Sequence, residues 1–211
     1  MAQGLIRAIV IVGLLAGSDT AAALEFSLQR TPEAIVATGD IVANDLAKFR
    51  QFSSKLQKRP SLVFLSSDGG LLFEGIALGN FFRSQGFATR IGRSQSCASA
   101  CVFAFLGGVV REVEPGGKLG VHMASRMFSD QNVQKLRRIL LDTQLSLDDK
   151  LRVITAIVEQ DAALAAHVEA RYLIRMGVSL KIMEPIIENL QVQMHWLTRQ
   201  EMIEYNVVNV D

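Results

Sequence analysis

The sequence is short of the residues that build nucleic-acid binding surfaces. Its 22 Lys and Arg residues balance 21 Asp and Glu residues, which leaves a net charge of +1, and aromatic residues make up only 7% of the chain. Binding to a phosphate backbone relies on an excess of basic side chains, and binding to single strands relies on aromatic stacking platforms. We therefore expect no nucleic-acid partner.

Metal ligands are also scarce. The three histidines (His122, His167 and His195) are scattered, and the C-x-x-x-C spacing of the two cysteines, Cys97 and Cys101, does not suit a zinc knuckle. We therefore assign no metal and no cofactor. An even number of cysteines permits a disulfide if the chain is exported to an oxidising compartment. Cys97 and Cys101 form a candidate disulfide, and the alternative of two buried thiols stays open.

Long hydrophobic runs are absent after the first residues. Residues 8–16 are apolar, follow Arg7, and precede small residues that end in three alanines at 21–23. The run is about half of the ~20 residues that a membrane span needs, and the pattern is typical of a secretory signal with an A-x-A cleavage site. We predict a signal peptide at residues 1–23 and a periplasmic domain at 24–211. The alternative is an uncleaved membrane anchor.

The remaining chain has the composition and pattern of one α/β domain. Hydrophobic residues make up 49% of the 211 residues, enough for a packed core. Apolar runs that predict strands alternate with helical patterns, which indicates parallel strands joined by crossover helices. The predicted strands are 34–39, 61–66, 87–91, 118–122 and a closing strand at 207–210; the predicted helices are 40–55, 72–85 and a helical insertion at about 130–190.

Three local features suit acyl-transfer chemistry. Gly69 and Gly70 follow a buried strand, where glycine lets backbone N–H groups approach a ligand. Ser99 lies at a predicted strand-to-helix junction, where a helix N-terminus favours an alkoxide-like nucleophile. His122 ends a strand after a glycine-rich turn, and a histidine can accept the serine proton and return it to a leaving group.

The order of these features resembles that of the ClpP family of serine peptidases. Residues 67–70 (Ser-Asp-Gly-Gly) are similar to the family's Ser-Pro-Gly-Gly turn, and residues 98–101 (Ala-Ser-Ala-Cys) to its Ala-Ser-Met-Gly segment. Val121-His122-Met123 is similar to its histidine strand. Residues 197–208 resemble its Leu-Ser-x-x-Glu-Ala-x-x-Tyr-Gly-Leu-Ile-Asp ending, and Thr198 and Glu201 there form a capping-box pattern.

The resemblance implies a fold and a site. The fold would be ClpP/crotonase-like, with repeated β-β-α and β-α-β units, a parallel sheet and a helical C-terminal extension. Ser99 would be the nucleophile, His122 the general base, and the N–H groups of Gly70 and Ala100 the oxyanion hole. The substrate would be an exported polypeptide and the protein a homo-oligomer. No ATP-driven unfoldase is expected, because ATP is not expected outside the cytoplasm.

The third catalytic residue of the family is missing. An aspartate is expected shortly before the Leu-Ser segment, but residues 191–196 contain no acid. Loss of the orienting acid costs ~10⁴ in rate in a well-studied triad. Glu188, Asn189 or Gln193 are candidates to orient His122 instead. The chemistry is then either a slow serine hydrolase or, alternatively, none, with the domain serving as a binding or assembly module.

The sequence also permits other catalytic groups and another class of enzyme. Lys118 is the nearest candidate for a serine–lysine dyad, and Cys101 for a thiol nucleophile. A coenzyme-A enzyme of the same superfamily is a further class, which export argues against.

Mass spectrometry of the purified mature protein tests the signal peptide. Because the small residues at 21–23 fit a cleavage site, we expect Leu24 or a near neighbour as the N-terminal residue. Intact Met1 in a soluble cytoplasmic fraction would contradict both the signal and the periplasmic assignment.

Overall fold

The structure is a computed structural model that describes residues 23–31, 33–124, 130–190 and 192–210. Residues 1–22, with nearly all of the predicted signal peptide, lie outside this part. Among the described residues, no helix has both the length and the apolar character to cross a membrane.

The described chain contains eight strands and seven α-helices. The strands are β1 (Glu25–Arg30), β2 (Glu33–Thr38), β3 (Leu62–Ser66), β4 (Ala88–Ile91), β5 (Ser96–Ala98), β6 (Arg111–Val113), β7 (Lys118–Val121) and β8 (His195–Trp196). The helices are α1 (Asp45–Ser54), α2 (Leu72–Ser84), α3 (Ala100–Leu106), α4 (Asp130–Leu141), α5 (Leu147–Met176), α6 (Met183–Glu188) and α7 (Arg199–Glu204), with a 3₁₀ turn at Leu180–Ile182.

The eight described strands form two sheets. The larger has the order β1-β2-β3-β4-β6, in which β1 is antiparallel to β2 and the other neighbours are parallel. The smaller has the order β5-β7-β8, with β5 and β7 parallel and β8 antiparallel to β7. The predicted parallel α/β architecture is therefore confirmed. The strands at 34–39, 61–66, 87–91 and 118–122 are present to within one residue at each end.

An aromatic cluster packs α1 and α2 against the larger sheet. Phe49 of α1 has its ring 5.0 Å from that of Phe82 and 5.6 Å from that of Phe87, and it meets Phe26 of β1 edge-on at 5.2 Å. Phe49, Phe82 and Phe87 are almost completely buried. Burying such a side chain contributes ~1.5–3 kcal/mol, so these rings fix the helices that lead into and out of β3.

The helical extension is held to this core through Tyr172 of α5. Its hydroxyl donates a hydrogen bond to the carbonyl oxygen of Phe103 in α3, and Gly79 of α2 leaves the space that the tyrosine occupies. Tyr172 is 3% exposed. Burial raises the pKa of this phenol, so it stays protonated and keeps donating at any physiological pH. The predicted helical region from about 130 to 190 is thereby anchored to α3, the helix that follows Ser99.

The predicted closing strand at 207–210 is wrong. These residues form no strand, because the buried side chain of Arg111 takes up the neighbouring carbonyl groups. Its Nε donates to Val207 O at 2.8 Å and its Nη2 to Asn206 O at 2.8 Å. The Asn209 side chain accepts from Arg111 N–H at 2.7 Å. Burial, together with nearby Arg83, lowers the pKa of Arg111 to about 10, so the guanidinium remains charged at neutral pH.

We call the hydrogen bonds of Arg111 with Asn206, Val207 and Asn209 the arginine clamp. Replacing Arg111 tests this clamp. Arg111→Met should lower the free energy of unfolding by about 3 kcal/mol or more, because several buried carbonyl groups lose a charged donor worth ~1.5–3 kcal/mol each. Urea denaturation measures the change. Arg137→Met on the exposed surface of α4 is the control and should stay within about 0.5 kcal/mol of wild type. Equal stabilities of the two variants would refute the clamp.

Candidate active site

Strand pairing brings the two predicted catalytic residues to one edge of the smaller sheet. Ala98 of β5 is paired with Gly120 of β7, and Ser99 N–H donates to Gly120 O at 2.9 Å. Ser99 directly follows β5, and His122 directly follows β7. Because the strands are parallel, both residues leave the sheet at its carboxyl edge, where open α/β sheets bind their ligands. Both side chains are half-buried.

Ser99 has an unusual backbone conformation. Ser99 lies between β5 and α3 and has a φ of 54° and a ψ of −124°. Positive φ in a residue other than glycine costs ~1–3 kcal/mol and is concentrated at functional sites. A sharp strand-to-helix turn of this kind carries the nucleophile in the α/β-hydrolases. The Ser99 hydroxyl makes no hydrogen bond within the described residues and caps no backbone group of α3.

Gly69 lies directly against Ser99. A Cβ atom added at Gly69 would come within 2.6 Å of Ser99 Cβ and 2.8 Å of Ala98 O, and its φ is +112°. Only glycine meets both conditions. Ser67 fixes the same turn, because its N–H donates to Ser96 O at 3.0 Å and its carbonyl accepts from Ala98 N–H at 2.9 Å. The end of β3 and the start of α3 therefore form one rigid unit.

Two backbone N–H groups at the Ser99 turn have no hydrogen-bond partner among the described residues. Neither Gly70 N–H nor Ala100 N–H donates a hydrogen bond within the described chain, whereas Gly69 N–H donates to Ser67 Oγ at 3.1 Å. Gly70 is exposed, and Ala100 is the first residue of α3. Gly70 and Ala100 are the residues that the resemblance assigns to the oxyanion hole. The close packing of Gly69 on Ser99 was not predicted, because it depends on the distance between the two sheets.

A disulfide joins Cys97 to Cys101, one of the two alternatives left open by the sequence. Cys97 lies in β5 and Cys101 in the first turn of α3, so the bond spans the turn that contains Ser99. Both cysteines are fully buried. The bond limits how far the strand and the helix can separate, and so helps to hold Ser99 in its strained conformation. Cys101 is thereby unavailable as a thiol nucleophile.

His122 is oriented by the main chain. Its Nδ1 lies 3.0 Å from the carbonyl oxygen of Met123. A carbonyl oxygen can only accept, so the neutral ring carries its proton on Nδ1 and leaves Nε2 free to accept one. Ser99 and His122 are not hydrogen-bonded to each other in this structure. Catalytic hydrogen bonds are often long in the absence of substrate and tighten when it binds.

No described carboxylate hydrogen-bonds to His122. Asn189, a candidate for orienting it, accepts from Met123 N–H at 2.8 Å through its carbonyl, while its side-chain amide donates to Pro185 O. Glu188 and Gln193 make no hydrogen bond to the ring either. Met194 is packed against Gly120, where an added Cβ would lie 2.7 Å from the methionine sulfur.

A histidine–carboxylate pair joins β8 to α7. His195 Nε2 lies 2.9 Å from Glu201 Oε1, and His195 is paired with Val121 across the strands. Partial burial raises the pKa of Glu201, but hydrogen bonds from Thr198 and His195 outweigh it and bring the pKa below its usual value. The other Glu201 oxygen completes the predicted capping box with Thr198. This pair therefore serves to start α7.

Lys118 is badly placed for a serine–lysine dyad. It begins β7, opposite Ser96, whereas Ser99 lies beyond the other end of the pairing. Three residues of strand separate these positions by ~10 Å. The Lys118 ammonium instead lies 5.9 Å from the ring centre of Trp196. Nor do His, Cys, Asp and Glu side chains cluster anywhere in the described ranges in a way that could hold a metal ion.

Comparison with solved structures identifies the architecture. A mutant of ClpP1 from Listeria monocytogenes superposes with a TM-score of 0.56 at 15% identity, over 83% of this chain and 88% of that chain. This chain has the ClpP-like fold. A mutant of the 1510-N membrane-bound stomatin-specific protease, in complex with a substrate peptide, gives a TM-score of 0.52 at 16% identity, over 84% of this chain and 72% of that one. No protein-family model and no curated protein sequence matches.

Thiol alkylation tests the disulfide. Protein that is denatured without reductant should show no alkylated cysteine by intact mass, and two after reduction, because Cys97 and Cys101 are the whole cysteine content of the ClpP-like chain. The closed loop is short, so reduction should cost no more than the low end of the ~2–4 kcal/mol typical of disulfides. Two alkylated thiols before reduction would contradict the bond.

Proposed function

We propose that this protein is a serine peptidase that acts on polypeptides through Ser99 and His122. The observation that carries the proposal is the strained turn at Ser99, where the hydroxyl and the N–H groups of Gly70 and Ala100 have no hydrogen-bond partner among the described residues. Strain of this kind persists only where surrounding structure enforces it, and here Gly69 and the disulfide both do so. The ClpP-like fold is consistent with this chemistry, since the two comparison structures are named as proteases or ClpP.

In the proposed reaction, Ser99 Oγ attacks the carbonyl carbon of the scissile peptide bond. His122 Nε2 accepts the hydroxyl proton, and the carbonyl oxygen becomes an oxyanion that the N–H groups of Gly70 and Ala100 stabilise. Collapse of the tetrahedral intermediate breaks the C–N bond, and His122 returns the proton to the leaving amine. Water then attacks the acyl-enzyme by the same route, which releases the acid and restores Ser99.

The proposed peptidase is slow. The Met123 carbonyl holds the His122 ring in the required tautomer, but a neutral oxygen stabilises the imidazolium less than a carboxylate does. The corresponding loss is ~10⁴ in rate where an aspartate is replaced by an amide. Oxyanion stabilisation and substrate positioning are left to supply most of the rate enhancement.

The proposal places the site in an exported homo-oligomer. A disulfide that holds the nucleophile turn suits an oxidising compartment such as the periplasm, as does the apolar segment near the start of the sequence. The substrates are then exported polypeptides, bound without an ATP-driven unfoldase. Exposed apolar residues of α4 and α5, including Val133, Leu140 and Leu151, are available for contacts between copies.

A catalytically inactive binding or assembly module is the second candidate. One observation favours it: His122 is bonded neither to Ser99 nor to a carboxylate among the described residues. In such a module the cleft would still bind an extended polypeptide, and no covalent intermediate would form. The difference lies in whether Ser99 reacts with an acylating or phosphonylating reagent.

Labelling with a fluorophosphonate probe separates the two candidates. Wild type should be labelled slowly at Ser99, Ser99→Ala should not be labelled, and His122→Ala should react at least about 100-fold more slowly, the usual contribution of a general base. Ser94→Ala is a matched control, because Ser94 is an exposed serine that also has positive φ (58°). Wild-type protein that stays unlabelled would leave the binding module as the function.

Gly69→Ala tests the contact that holds the nucleophile. The added methyl would overlap Ser99 Cβ, so labelling should fall by at least about tenfold, as expected for a misplaced reactive group. Gly86→Ala is the control, since Gly86 also has positive φ (+69°) but no heavy atom within 4 Å of its added Cβ. Equal labelling of both variants, with circular dichroism unchanged, would show that the Gly69 contact does not control Ser99.

A further inference from the structure

A pocket of about 240 Å³ opens one residue beyond His122. Met123 and Ala124 form one wall, and Ile186 and Ile187 of α6 form another. Four alanines and Glu169, all from α5, complete the lining; the alanines are Ala162, Ala163, Ala165 and Ala166. Pockets that enclose whole drug-sized ligands measure ~300–1,000 Å³. This smaller space suits a single side chain, and its lining is apolar except for Glu169.

Glu169 is an acid in this lining without a partner among the described residues. The residue is 3% exposed, its Oε1 atom is fully buried, and the carboxyl group makes no hydrogen bond or ion pair with any described residue. Buried polar groups in folded proteins are nearly always satisfied, and an exception calls for an explanation. Burial raises the pKa of Glu169 to about 7, well above the usual value for a glutamate, so the neutral acid is populated at neutral pH.

A glutamine or a leucine at position 169 would stabilise the fold more than an acid without a described partner does. A buried carboxylate is costly unless a positive charge or several donors accompany it. The alanines at i−7, i−4 and i−3 from Glu169 leave open the face of α5 along which a partner could reach the carboxyl group. A long apolar stem that ends in a cation matches a lining of alanines and isoleucines with one acid.

We propose that the Glu169 pocket is a substrate subsite that receives a lysine side chain of the bound polypeptide. The four methylenes of lysine pack on the alanines and isoleucines, and the ammonium group donates to the Glu169 carboxylate. Arginine fits less well, because it brings five N–H donors and Glu169 is the sole charged acceptor in the pocket lining.

The position of the pocket links it to the reaction. Met123 both lines the pocket and, through its carbonyl oxygen, orients His122. Its N–H is held by the carbonyl of Asn189, which directly follows α6. A lysine seated in the pocket therefore contacts the residue that orients the general base. This inference deepens the proposed peptidase function and rests on it for the nature of the ligand.

Peptide binding tests the subsite without requiring catalysis. A neutral fluorescent peptide series carries one lysine at successive positions, and a matched series carries norleucine, which has the same apolar stem without the charge. Binding to the Ser99→Ala protein is measured by anisotropy. At one position, lysine should bind at least about tenfold more tightly than norleucine, the gain expected of a charge-assisted hydrogen bond, and arginine should bind less tightly than lysine.

The matched variant pair is Glu169→Gln and Glu159→Gln, both on α5 in the Ser99→Ala background. Glu169→Gln should abolish the preference for lysine over norleucine, whereas Glu159→Gln, at an exposed position, should keep it. Circular dichroism and thermal melting verify that both variants fold. A lysine preference that survives Glu169→Gln, or no preference at any position, would overturn the subsite.

The outcomes separate this inference from the peptidase proposal. A labelled Ser99 without a lysine preference leaves the peptidase and removes the subsite. A lysine preference that depends on Glu169, together with an unlabelled Ser99, would refute the peptidase proposal. The protein would then be a binding module that prefers polypeptides with a lysine at that position.

Discussion

The close approach of Gly69 to Ser99 is the contact on which the site depends. It joins the end of β3, in the larger sheet, to the start of α3, which follows β5 of the smaller sheet. There is no space for even a methyl group between Gly69 and Ser99. The hydrogen bonds of Ser67 with Ser96 and Ala98 fix the same junction from the other side. Together with the disulfide, these contacts offset the cost of a serine held at positive φ.

The rest of the architecture supports this junction from behind. Helix α3 is entirely buried, and α2 packs along it. Tyr172 then ties the long helix α5 to α3, so that the helical extension and the nucleophile turn share one support. Since α5 also carries Glu169, the wall of the pocket and the serine are positioned by the same packed layer.

Much of the fold could be predicted from the sequence because it depends on local patterns. The apolar run at 62–66 and the helix that ends near Gly86 specify their own conformations, and the order of motifs indicates the parallel topology. Strands β5, β6 and β8 were not predicted, because two or three residues carry no detectable period. Strand β1 alternates Phe26 and Leu28 with polar neighbours, a signal that was present but weak beside the apolar segment that precedes it.

The residues of the candidate site also fall into those that could be predicted from local sequence and those that could not. Ser99, His122, Gly70 and Ala100 were recognised from the order of short motifs, as was the Gly69-Gly70 turn, whereas the packing of Gly69 on Ser99 and the buried Glu169 were not. The role of Gly69 arises from the spacing between two sheets, which the sequence of neither strand specifies. Glu169 had a readable signal, since an acid that follows alanines at 162, 165 and 166 lies on a helix face with little else polar. Its burial became visible only when α6 was placed against that face.

The Arg111 clamp has a consequence for how the chain acquires its structure. Arg111 is separated from Val207 by 96 residues of sequence, most of them in the helical region and the segment that follows. At a synthesis rate of ~5–20 residues per second, the guanidinium waits about 5–20 s for its acceptors. Until then, the guanidinium lacks the carbonyl groups of Asn206 and Val207 that accept from it in the folded protein. The hydrogen bonds that join edge strand β6 to residues 206–209 therefore form only after the whole helical region has been synthesised.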